Sequence, residues 1–362
     1  MDPSQPPSRP DPAQRRYNRQ EGLAFLGQMP LGQLMQLAHH HRRGRFPRPW
    51  VTFVVDANPN YTNICITRCA FCAFCRRPGD EDAYTLSPQQ VADRAAAAWQ
   101  AGATTVLLQG GHNPAIGLKD WLAYIQAIAR TCPEIHIHPF SPAEYVWMAA
   151  QEALPVDAVL QAVYNEGVRT IPGGGAEILV EDVRRRIAPA KASAQAWLET
   201  CETAHRIGFR TTATLMFGHL ERDADIVAHL LQLRTLQDRT GGFTSFIAWS
   251  FKPGHTPLAA KVPVAAHPAR YVRIIATARL LLDNFDHIQS SWFSESPEAG
   301  QLGLLAGADD FGGVLVEEHV LRTAGHGPTA TIERVKTLIR RAGFTPAQRD
   351  SDYRVLKVFD GE

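Results

Sequence analysis

The sequence lacks the features of a membrane protein and of a nucleic-acid-binding protein. No apolar stretch approaches the roughly 20 residues that span a bilayer, and the first residues are polar and proline-rich where a signal peptide would be apolar. The 37 Lys and Arg residues are balanced by 36 Asp and Glu, so there is no broad basic surface for phosphate backbones or anionic lipids. We therefore expect a cytoplasmic protein that binds neither nucleic acid nor a membrane.

Cysteine is also scarce, with six residues in a chain of 362. That number is too low for a disulfide scaffold. Four of the six nevertheless lie within one short segment, at Cys65, Cys69, Cys72 and Cys75. This crowding indicates a metal centre and not disulfide bonds.

The composition divides the chain into four parts. Residues 1–16 are rich in proline and have no apolar periodicity, which predicts a disordered tail. Residues 17–49 predict an N-terminal helical cap of two short helices, interrupted at Met29-Pro30-Leu31. The pattern then predicts one domain over residues 50–350 and a C-terminal tail over residues 351–362.

Short β-branched and aromatic segments alternate with helical segments inside the predicted domain. The predicted strands are 51–55, 104–108, 135–140, 170–171, 211–217, 245–251, 288–292 and 309–315. The main predicted helices are 87–101, 118–130, 194–207, 223–239, 269–284 and 331–342. Eight strands that alternate with helices favour an α/β fold, a parallel (β/α)8 barrel of the TIM type. An open doubly wound sheet is the alternative.

The cysteine segment follows the first predicted strand, so it lies in the first βα loop, on the barrel face where active sites gather. Cys65, Cys69 and Cys72 have the spacing C-x3-C-x2-C, which lets three thiolates hold three corners of a 4Fe-4S cluster and leaves one iron free. A zinc site would usually need a second, distant ligand pair, and none is present. A ferredoxin motif that starts at Cys69 would need a cysteine at position 79, where Gly79 stands.

The cysteine motif, with Phe71 before its third cysteine, is the signature of radical S-adenosylmethionine (SAM) enzymes, which this chain resembles. Other stretches resemble the cyclic dehypoxanthine futalosine synthase family of the futalosine route to menaquinone. They include Leu107-Leu-Gln-Gly-Gly, Ile135-His-Ile-His-Pro-Phe, Ile171-Pro-Gly-Gly-Gly-Ala-Glu and Asp310-Phe-Gly-Gly. Together the stretches cover the chain from about residue 50 to 350. The siblings of this family are aminofutalosine synthase and the deazaflavin-forming radical SAM enzymes.

The resemblance implies roles for individual residues. Cys65, Cys69 and Cys72 would hold the 4Fe-4S cluster, whose free iron would bind SAM. The residues implied to contact SAM are Phe71, Gly110, Gly111 and Glu177, and Ser141 is implied to face the substrate. Cys75 departs from the family pattern, in which a tyrosine often stands at that position. We expect it to be a bystander, because the chemistry requires an open iron.

Positions on the strands supply candidates for proton transfer and substrate binding. His138 is a candidate base if its face of the third strand points inward, with a hydrogen-bonded interior histidine as the alternative. Asp310 is a second candidate base and a candidate partner for ribose hydroxyls, with capping of the next segment as the alternative. Glu177 is the third candidate base. The candidate anchors for a substrate carboxylate are Arg169, Arg210 and Lys252.

The resemblance implies a cyclase that converts dehypoxanthine futalosine to cyclic dehypoxanthine futalosine. The reduced cluster would split SAM into methionine and a 5'-deoxyadenosyl radical, which would take the C4' hydrogen of the substrate ribose. The carbon radical would then add to the benzoate ring of the same molecule. A flavodoxin- or ferredoxin-type protein would donate the electron. The alternatives are a sibling radical SAM reaction and, outside the enzymes, an iron-sulfur electron carrier.

Overall fold

The computed structural model describes residues 15–315, 323, 325 and 331–360, and its strands confirm the predicted barrel. The eight barrel strands are β1 (Trp50–Ala57), β2 (Thr105–Leu108), β3 (His136–Pro139), β4 (Thr170–Ile171), β5 (Arg210–Phe217), β6 (Phe243–Ser250), β7 (His287–Gln289) and β8 (Asp310–Leu315). Each coincides with a predicted strand to within a few residues. Of the predicted disordered tail, residues 1–14 lie outside the described part of the chain.

The sheet closes on itself almost completely. β8 pairs in parallel with β1, and consecutive strands pair from β1 to β3 and from β4 to β8. Between β3 and β4, the described chain has no backbone ladder. Instead, the Thr170 hydroxyl contacts both His136 and His138 of β3. Because β8 returns to β1, the open doubly wound alternative is wrong.

Helices surround the barrel. In chain order they are α1 (Arg19–Gly27), α2 (Leu31–Arg45), α3 (Pro88–Gln100), α4 (Leu118–Thr131), α5 (Pro142–Gln151), α6 (Val156–Asn165), α7 (Glu181–Ile187), α8 (Ala194–Ile207), α9 (Asp223–Thr240), α10 (Pro268–Leu281), α11 (Pro297–Leu305) and α12 (Ile332–Arg341). Ser87 caps the start of α3, since its Oγ accepts the Gln90 N–H at 3.2 Å. Among the described residues, no helix combines the length and apolarity needed to cross a membrane.

The two N-terminal helices form as predicted, with Pro30 between them. They pack against α9 and α10 on the outside of the barrel. At the end of α2, the buried Arg42 guanidinium donates to the carbonyls of Ala308 at 2.8 Å and of Trp50 at 3.0 Å. These carbonyls lie at or just before the starts of β8 and β1. The N-terminal segment is therefore tied to the lower, N-terminal end of the barrel strands.

β1 shows how each strand separates the apolar core from the barrel interior. Val51, Phe53 and Val55 are at most 1% exposed and pack among the apolar side chains of the core. Val54 and Asp56 alternate with them and line the cavity inside the barrel. The core thus lies between strands and helices, and the interior of the barrel remains available for a ligand.

The C-terminal segment corrects one boundary of the sequence prediction. β9 (Thr345–Arg349) runs parallel to β1, and β10 (Val355–Val358) returns antiparallel to β9. The predicted tail over residues 351–362 therefore contains a structured turn and a strand. Proline is rare inside strands, so the presence of Pro346 argued against a strand at this position, and the sequence pattern did not predict β9.

The turn between β9 and β10 closes the lower end of the barrel. Its Ser351 Oγ lies 2.9 Å from Thr105 Oγ1 at the start of β2. The Tyr353 ring stacks on His287 at a centroid distance of 3.9 Å, and the Arg349 guanidinium lies 3.8 Å from the centre of the Tyr353 ring. These contacts form a floor beneath the barrel interior.

Candidate active site

A cavity of about 490 Å³ extends from the C-terminal ends of the strands down into the barrel. Its upper part is lined by the loops that follow β1 to β4, and its floor by Arg349, Ser351 and Tyr353. The wall between them carries many hydroxyl and amide groups, from Asn58, Thr105, Gln109, Thr212, Thr214, Ser245, Gln289 and Ser291. This chamber suits a small polar substrate that must be shielded from water.

The cysteine loop (residues 60–76) lies at the upper end of the cavity, and backbone hydrogen bonds fix it there. The Cys65 N–H donates to the Arg76 carbonyl, and the Ile66 N–H donates to the His112 carbonyl, both at 3.0 Å. The His112 ring adds a side-chain contact, 2.7 Å from Nδ1 to Thr67 Oγ1. Burial lowers the pKa of His112 to about 3, so this histidine stays neutral and holds the loop in place.

Gly110 and Gly111 line the cavity beside the cysteine loop. A Cβ atom at position 111 would lie 2.2 Å from the Ile64 carbonyl oxygen, and one at position 110 would lie 2.6 Å from the Tyr61 ring. Only glycine permits this close approach of the second βα loop to the first. The residues predicted to contact SAM therefore adjoin the predicted cluster ligands, and their contact with SAM itself stays a prediction.

The three predicted cluster ligands all line the cavity. Burial raises the pKa of Cys69 to about 12 and also raises that of Cys72, whereas the ammonium group of Lys191 opposes both shifts. Among the described residues, no group of three His, Cys, Asp or Glu side chains is arranged to hold a single metal ion. Three soft thiolates that face one cavity beside a cation fit the ligand set of an iron-sulfur cluster.

Cys75 also lines the cavity, but its thiol is engaged within the loop. Its Sγ donates to the Cys65 carbonyl at 3.1 Å. When Cys65 is ionised, the same thiol proton can instead bond to the Cys65 thiolate, and this hydrogen bond lowers the pKa of Cys65 to about 5. These contacts give the Cys75 thiol a donor role toward Cys65.

Cys75→Ser is expected to retain the cluster and SAM cleavage within about twofold of the wild type. A serine hydroxyl can also donate to the Cys65 carbonyl, so the loop keeps its hydrogen bond. Retention of the cluster is measured by the iron content and the visible absorption of the reconstituted protein, and SAM cleavage by the production of 5'-deoxyadenosine. A variant that cannot assemble the cluster would show that Cys75 is a ligand.

Glu177 and Lys191 form a buried ion pair at the cluster end of the cavity. Lys191 Nζ lies 2.6 Å from Glu177 Oε1, and it also lies 5.6 Å from the centre of the Phe71 ring. Burial alone would lower the pKa of Lys191, but the carboxylate of its ion-pair partner Glu177 raises it above its usual value. Glu177 and Phe71, each predicted to contact SAM, thus have a common neighbour in Lys191, which the sequence did not indicate.

Ser141 lines the cavity at the end of β3 and begins α5. Its N–H and its hydroxyl both donate to Glu144 Oε2 at 2.7 Å. The other oxygen of Glu144 accepts the Tyr61 hydroxyl at 3.0 Å and the Gly110 N–H at 3.2 Å. This buried carboxylate ties together three of the loops that surround the cavity, a role that the sequence did not reveal.

His138 lines the cavity, as its candidate role as a base requires. Its Nδ1 lies 2.7 Å from Thr170 Oγ1, which leaves Nε2 for the cavity. Burial, with smaller contributions from His136 and Arg349, lowers the pKa of His138 well below its usual value. A neutral imidazole at this position has a free lone pair for a proton.

The structure contradicts the candidate roles of Asp310. Its side chain is fully buried and lies outside the cavity lining. Arg349 binds both carboxylate oxygens, from Nε to Oδ2 at 2.6 Å and from Nη2 to Oδ1 at 2.9 Å, and Thr52 Oγ1 donates to Oδ2 at 2.6 Å. Asp310 is therefore a structural ion-pair residue beneath the cavity, neither a base nor a ligand for ribose hydroxyls.

The proposed carboxylate anchors are also not supported. Arg169 and Arg210 lie at the starts of β4 and β5, on the end of the barrel opposite the cysteine loop. Lys252 lies above β6 and is buried, but Glu295 is 3.5 Å from its Nζ. Position near a strand was too weak a criterion, because active sites gather only at the C-terminal strand ends.

Asp56 is the cavity carboxylate that the sequence did not single out. It points inward from the upper part of β1, where its buried Oδ1 has no hydrogen-bonding partner among the described residues. A Cβ at position 313 would lie 2.4 Å from this oxygen, so Gly313 provides the space for it. Burial raises the pKa of Asp56 to about 7, against the opposing charge of Arg349. The inward alternation of β1 was the available signal.

Comparisons with known proteins define the class. Residues 60–233 match the model of the radical SAM superfamily, and residues 240–360 match the model of the CofH/MqnC C-terminal region. The crystal structure of methylornithine synthase (PylB) has a TM-score of 0.73, with 18% identity, and the match covers 94% of this chain and 96% of that one. At that identity it shows the fold alone. The barrel and the cysteine loop are those of a radical SAM enzyme.

Two relatives identify the family. A cyclic dehypoxanthine futalosine synthase from Halalkalibacterium halodurans is 37% identical over 315 residues, which cover 87% of this chain and 84% of that protein. A 5-amino-6-(D-ribitylamino)uracil–L-tyrosine 4-hydroxyphenyl transferase from Methanopyrus kandleri is 38% identical over 343 residues, which cover 93% and 92%. The chain belongs to the radical SAM superfamily and, within it, to the family of cyclic dehypoxanthine futalosine synthase and its CofH-type relatives. Membership implies an enzyme that uses a 4Fe-4S cluster and SAM, so the electron-carrier hypothesis is set aside.

Proposed function

We propose that this enzyme converts dehypoxanthine futalosine to cyclic dehypoxanthine futalosine in menaquinone biosynthesis. The observation that carries the proposal is the cavity, which combines three cysteine thiols at one end with a wall that presents hydroxyl and amide groups between apolar side chains. Such a wall suits the ribose of the substrate. The 37% identity to a cyclase of that name adds support.

In this proposal, Cys65, Cys69 and Cys72 hold the cluster, and Phe71, Gly110, Gly111 and Glu177 form the SAM side of the cavity. When bound, the reduced cluster and SAM supply a 5'-deoxyadenosyl radical that removes the C4' hydrogen of the ribose. The barrel wall, including Ser141, holds the ribose near the SAM side and excludes water and other hydrogen donors.

Ring closure requires a base as well as a radical. After the C4' radical adds to the benzoate ring, loss of one proton and one electron restores aromaticity. His138 takes the proton in this proposal, because it lines the cavity as a neutral imidazole. Asp56 accepts hydrogen bonds from ribose hydroxyls, since its Oδ1 has no partner among the described side chains. A cytoplasmic flavodoxin- or ferredoxin-type protein supplies the electron that reduces the cluster.

A second candidate is a tyrosine-dependent transferase. The observation in its favour is the 38% identity to the transferase from Methanopyrus kandleri. That protein is named for two substrates, a ribitylaminouracil and tyrosine, whereas the cyclase closes a ring within one molecule. A polyol group is common to the ribose and ribityl substrates, so the cavity wall alone does not separate the two reactions.

The decisive experiment offers both sets of substrates to the reconstituted enzyme under anaerobic conditions with SAM and a strong reductant. With dehypoxanthine futalosine, we expect 5'-deoxyadenosine and a product lighter by one pair of hydrogens. Deuterium at C4' should appear in the 5'-deoxyadenosine. With the uracil and tyrosine, we expect no adduct. An adduct without cyclisation would establish the transferase instead.

A further inference from the structure

The side chains of His136, His138 and Thr170 form a bridge between β3 and β4. Within the described residues, these are the only adjacent barrel strands that have no backbone pairing. Thr170 Oγ1, at the start of β4, lies 2.7 Å from His138 Nδ1 and 2.6 Å from His136 Nε2. Both distances are those of strong hydrogen bonds. The two histidines lie on the same face of β3, so the bridge leads from the cavity toward the lower end of the barrel.

The hydroxyl has only one proton, which restricts the possible arrangements. If His138 is to accept a proton at Nε2, its own proton must reside on Nδ1. Nδ1 then donates to Thr170, and the Thr170 hydroxyl donates to His136 Nε2. In this arrangement every hydrogen bond in the bridge points away from the cavity.

The surroundings of the two histidines favour the positive charge on His136 and not on His138. His138 is fully enclosed, and Arg349 further disfavours its cationic form. Burial also lowers the pKa of His136, but this histidine is partly exposed, and the carboxylates of Asp352 and Asp350 in the β9–β10 turn stabilise its cation, although Arg354 opposes them. A proton that remained on His138 would leave an unpaired charge in a dry site, which is costly. On His136 the charge is close to two carboxylates and to solvent.

We propose that His138, Thr170 and His136 form a proton relay that carries the proton released in ring closure from the cavity to the lower end of the barrel. This inference rests on the proposed function. As the ring C–H bond breaks, its proton goes to His138 Nε2, and the electron passes to the oxidised iron-sulfur cluster. The Nδ1 proton of His138 moves to Thr170 Oγ1, whose own proton moves to His136 Nε2. His138 ends as the neutral Nε2–H tautomer, and His136 as the cation.

Thr170→Val tests the relay, because valine keeps the shape and removes the hydroxyl. Hydrogen abstraction precedes the proton step, so the variant should still produce 5'-deoxyadenosine with deuterium from C4'. Cyclic product should fall by about 100-fold, so the ratio of 5'-deoxyadenosine to product should rise. Thr170→Ser restores the hydroxyl and should recover product to within about threefold of the wild type. The solvent deuterium isotope effect on product should be lost in Thr170→Val.

Equal product yields in the wild type and in Thr170→Val would overturn the relay. Loss of both 5'-deoxyadenosine and product, without rescue by serine, would also overturn it, because a purely structural role of Thr170 predicts that result. If the wild type cleaves SAM but leaves dehypoxanthine futalosine unchanged, the proposed function fails, and the relay is then decided by a measurement that needs no turnover.

That measurement is 15N NMR of the histidine side chains in the full chain, with assignments from His136→Asn and His138→Asn. The relay requires His138 as the Nδ1–H tautomer and His136 with an unprotonated Nε2. Thr170→Val should shift both ring signals. A wild-type His138 in the Nε2–H tautomer would overturn the relay for any substrate, because its cavity nitrogen would then have no lone pair.

Discussion

Cys69→Ser is expected to lose the iron-sulfur cluster and, with it, all SAM cleavage above background. Cys69 is the middle cysteine of the C-x3-C-x2-C motif, a predicted cluster ligand, and is buried beside Lys191. A serine hydroxyl is a hard and weakly acidic ligand that iron-sulfur clusters rarely accept. Iron should fall from about four atoms per chain to far fewer after reconstitution, and the visible absorption of the cluster should disappear.

Cys132→Ser is the matched control for this variant. Cys132 is a buried cysteine at the end of α4, far along the chain from the cysteine loop and outside the cavity lining. Its replacement should retain iron and SAM cleavage after reconstitution. Full iron content in Cys69→Ser, measured beside this control, would show that another residue holds the third corner of the cluster.

The barrel strands and the cysteine loop were predictable because their signals are local. Each strand is a short β-branched or aromatic segment between helices, and the three cysteines predicted to hold the cluster lie within one short loop. Gly110 and Gly111 were also visible as a pair, and the structure explains them by their contact with Tyr61 and Ile64. In the strands and the cysteine loop, sequence neighbours are also neighbours in space, whereas the contacts of the two glycines join distant parts of the chain.

The partners of Asp310 and Lys191 were not predictable, because each depends on a contact between distant parts of the chain. Asp310 was a candidate base because of its position at the eighth predicted strand. Its partner Arg349 is 39 positions away and reaches it only because β9 pairs with β1. Lys191 belongs to a loop after α7 and reaches the cavity through the fold. One sequence does not reveal which charges the topology will pair.

Asp56 illustrates a different limit. The alternation of β1 places it on the inward face, but buried carboxylates in barrels usually have partners. Only the structure shows that Gly313 packs against it and that its Oδ1 receives no hydrogen bond from the described residues. Whether an inward residue faces a ligand or a protein partner depends on all the strands around it.

Arg349→Met is expected to lower the free energy of unfolding of the apo-protein by about 3–5 kcal/mol. The variant leaves the Asp310 carboxylate, which is fully buried, without its bidentate partner. It also removes the cation that lies 3.8 Å from the Tyr353 ring. Anaerobic urea denaturation, followed by circular dichroism, measures the change.

Two comparisons separate the ion pair from a general effect of the substitution. Arg354→Met changes a side chain that is 72% exposed in its ion pair with Asp350, so it should cost no more than about 1 kcal/mol. Adding Asp310→Asn to Arg349→Met removes the unpaired charge and should recover part of the lost stability. If the double variant is no more stable than Arg349→Met, the loss comes from packing of the floor and not from the buried charge.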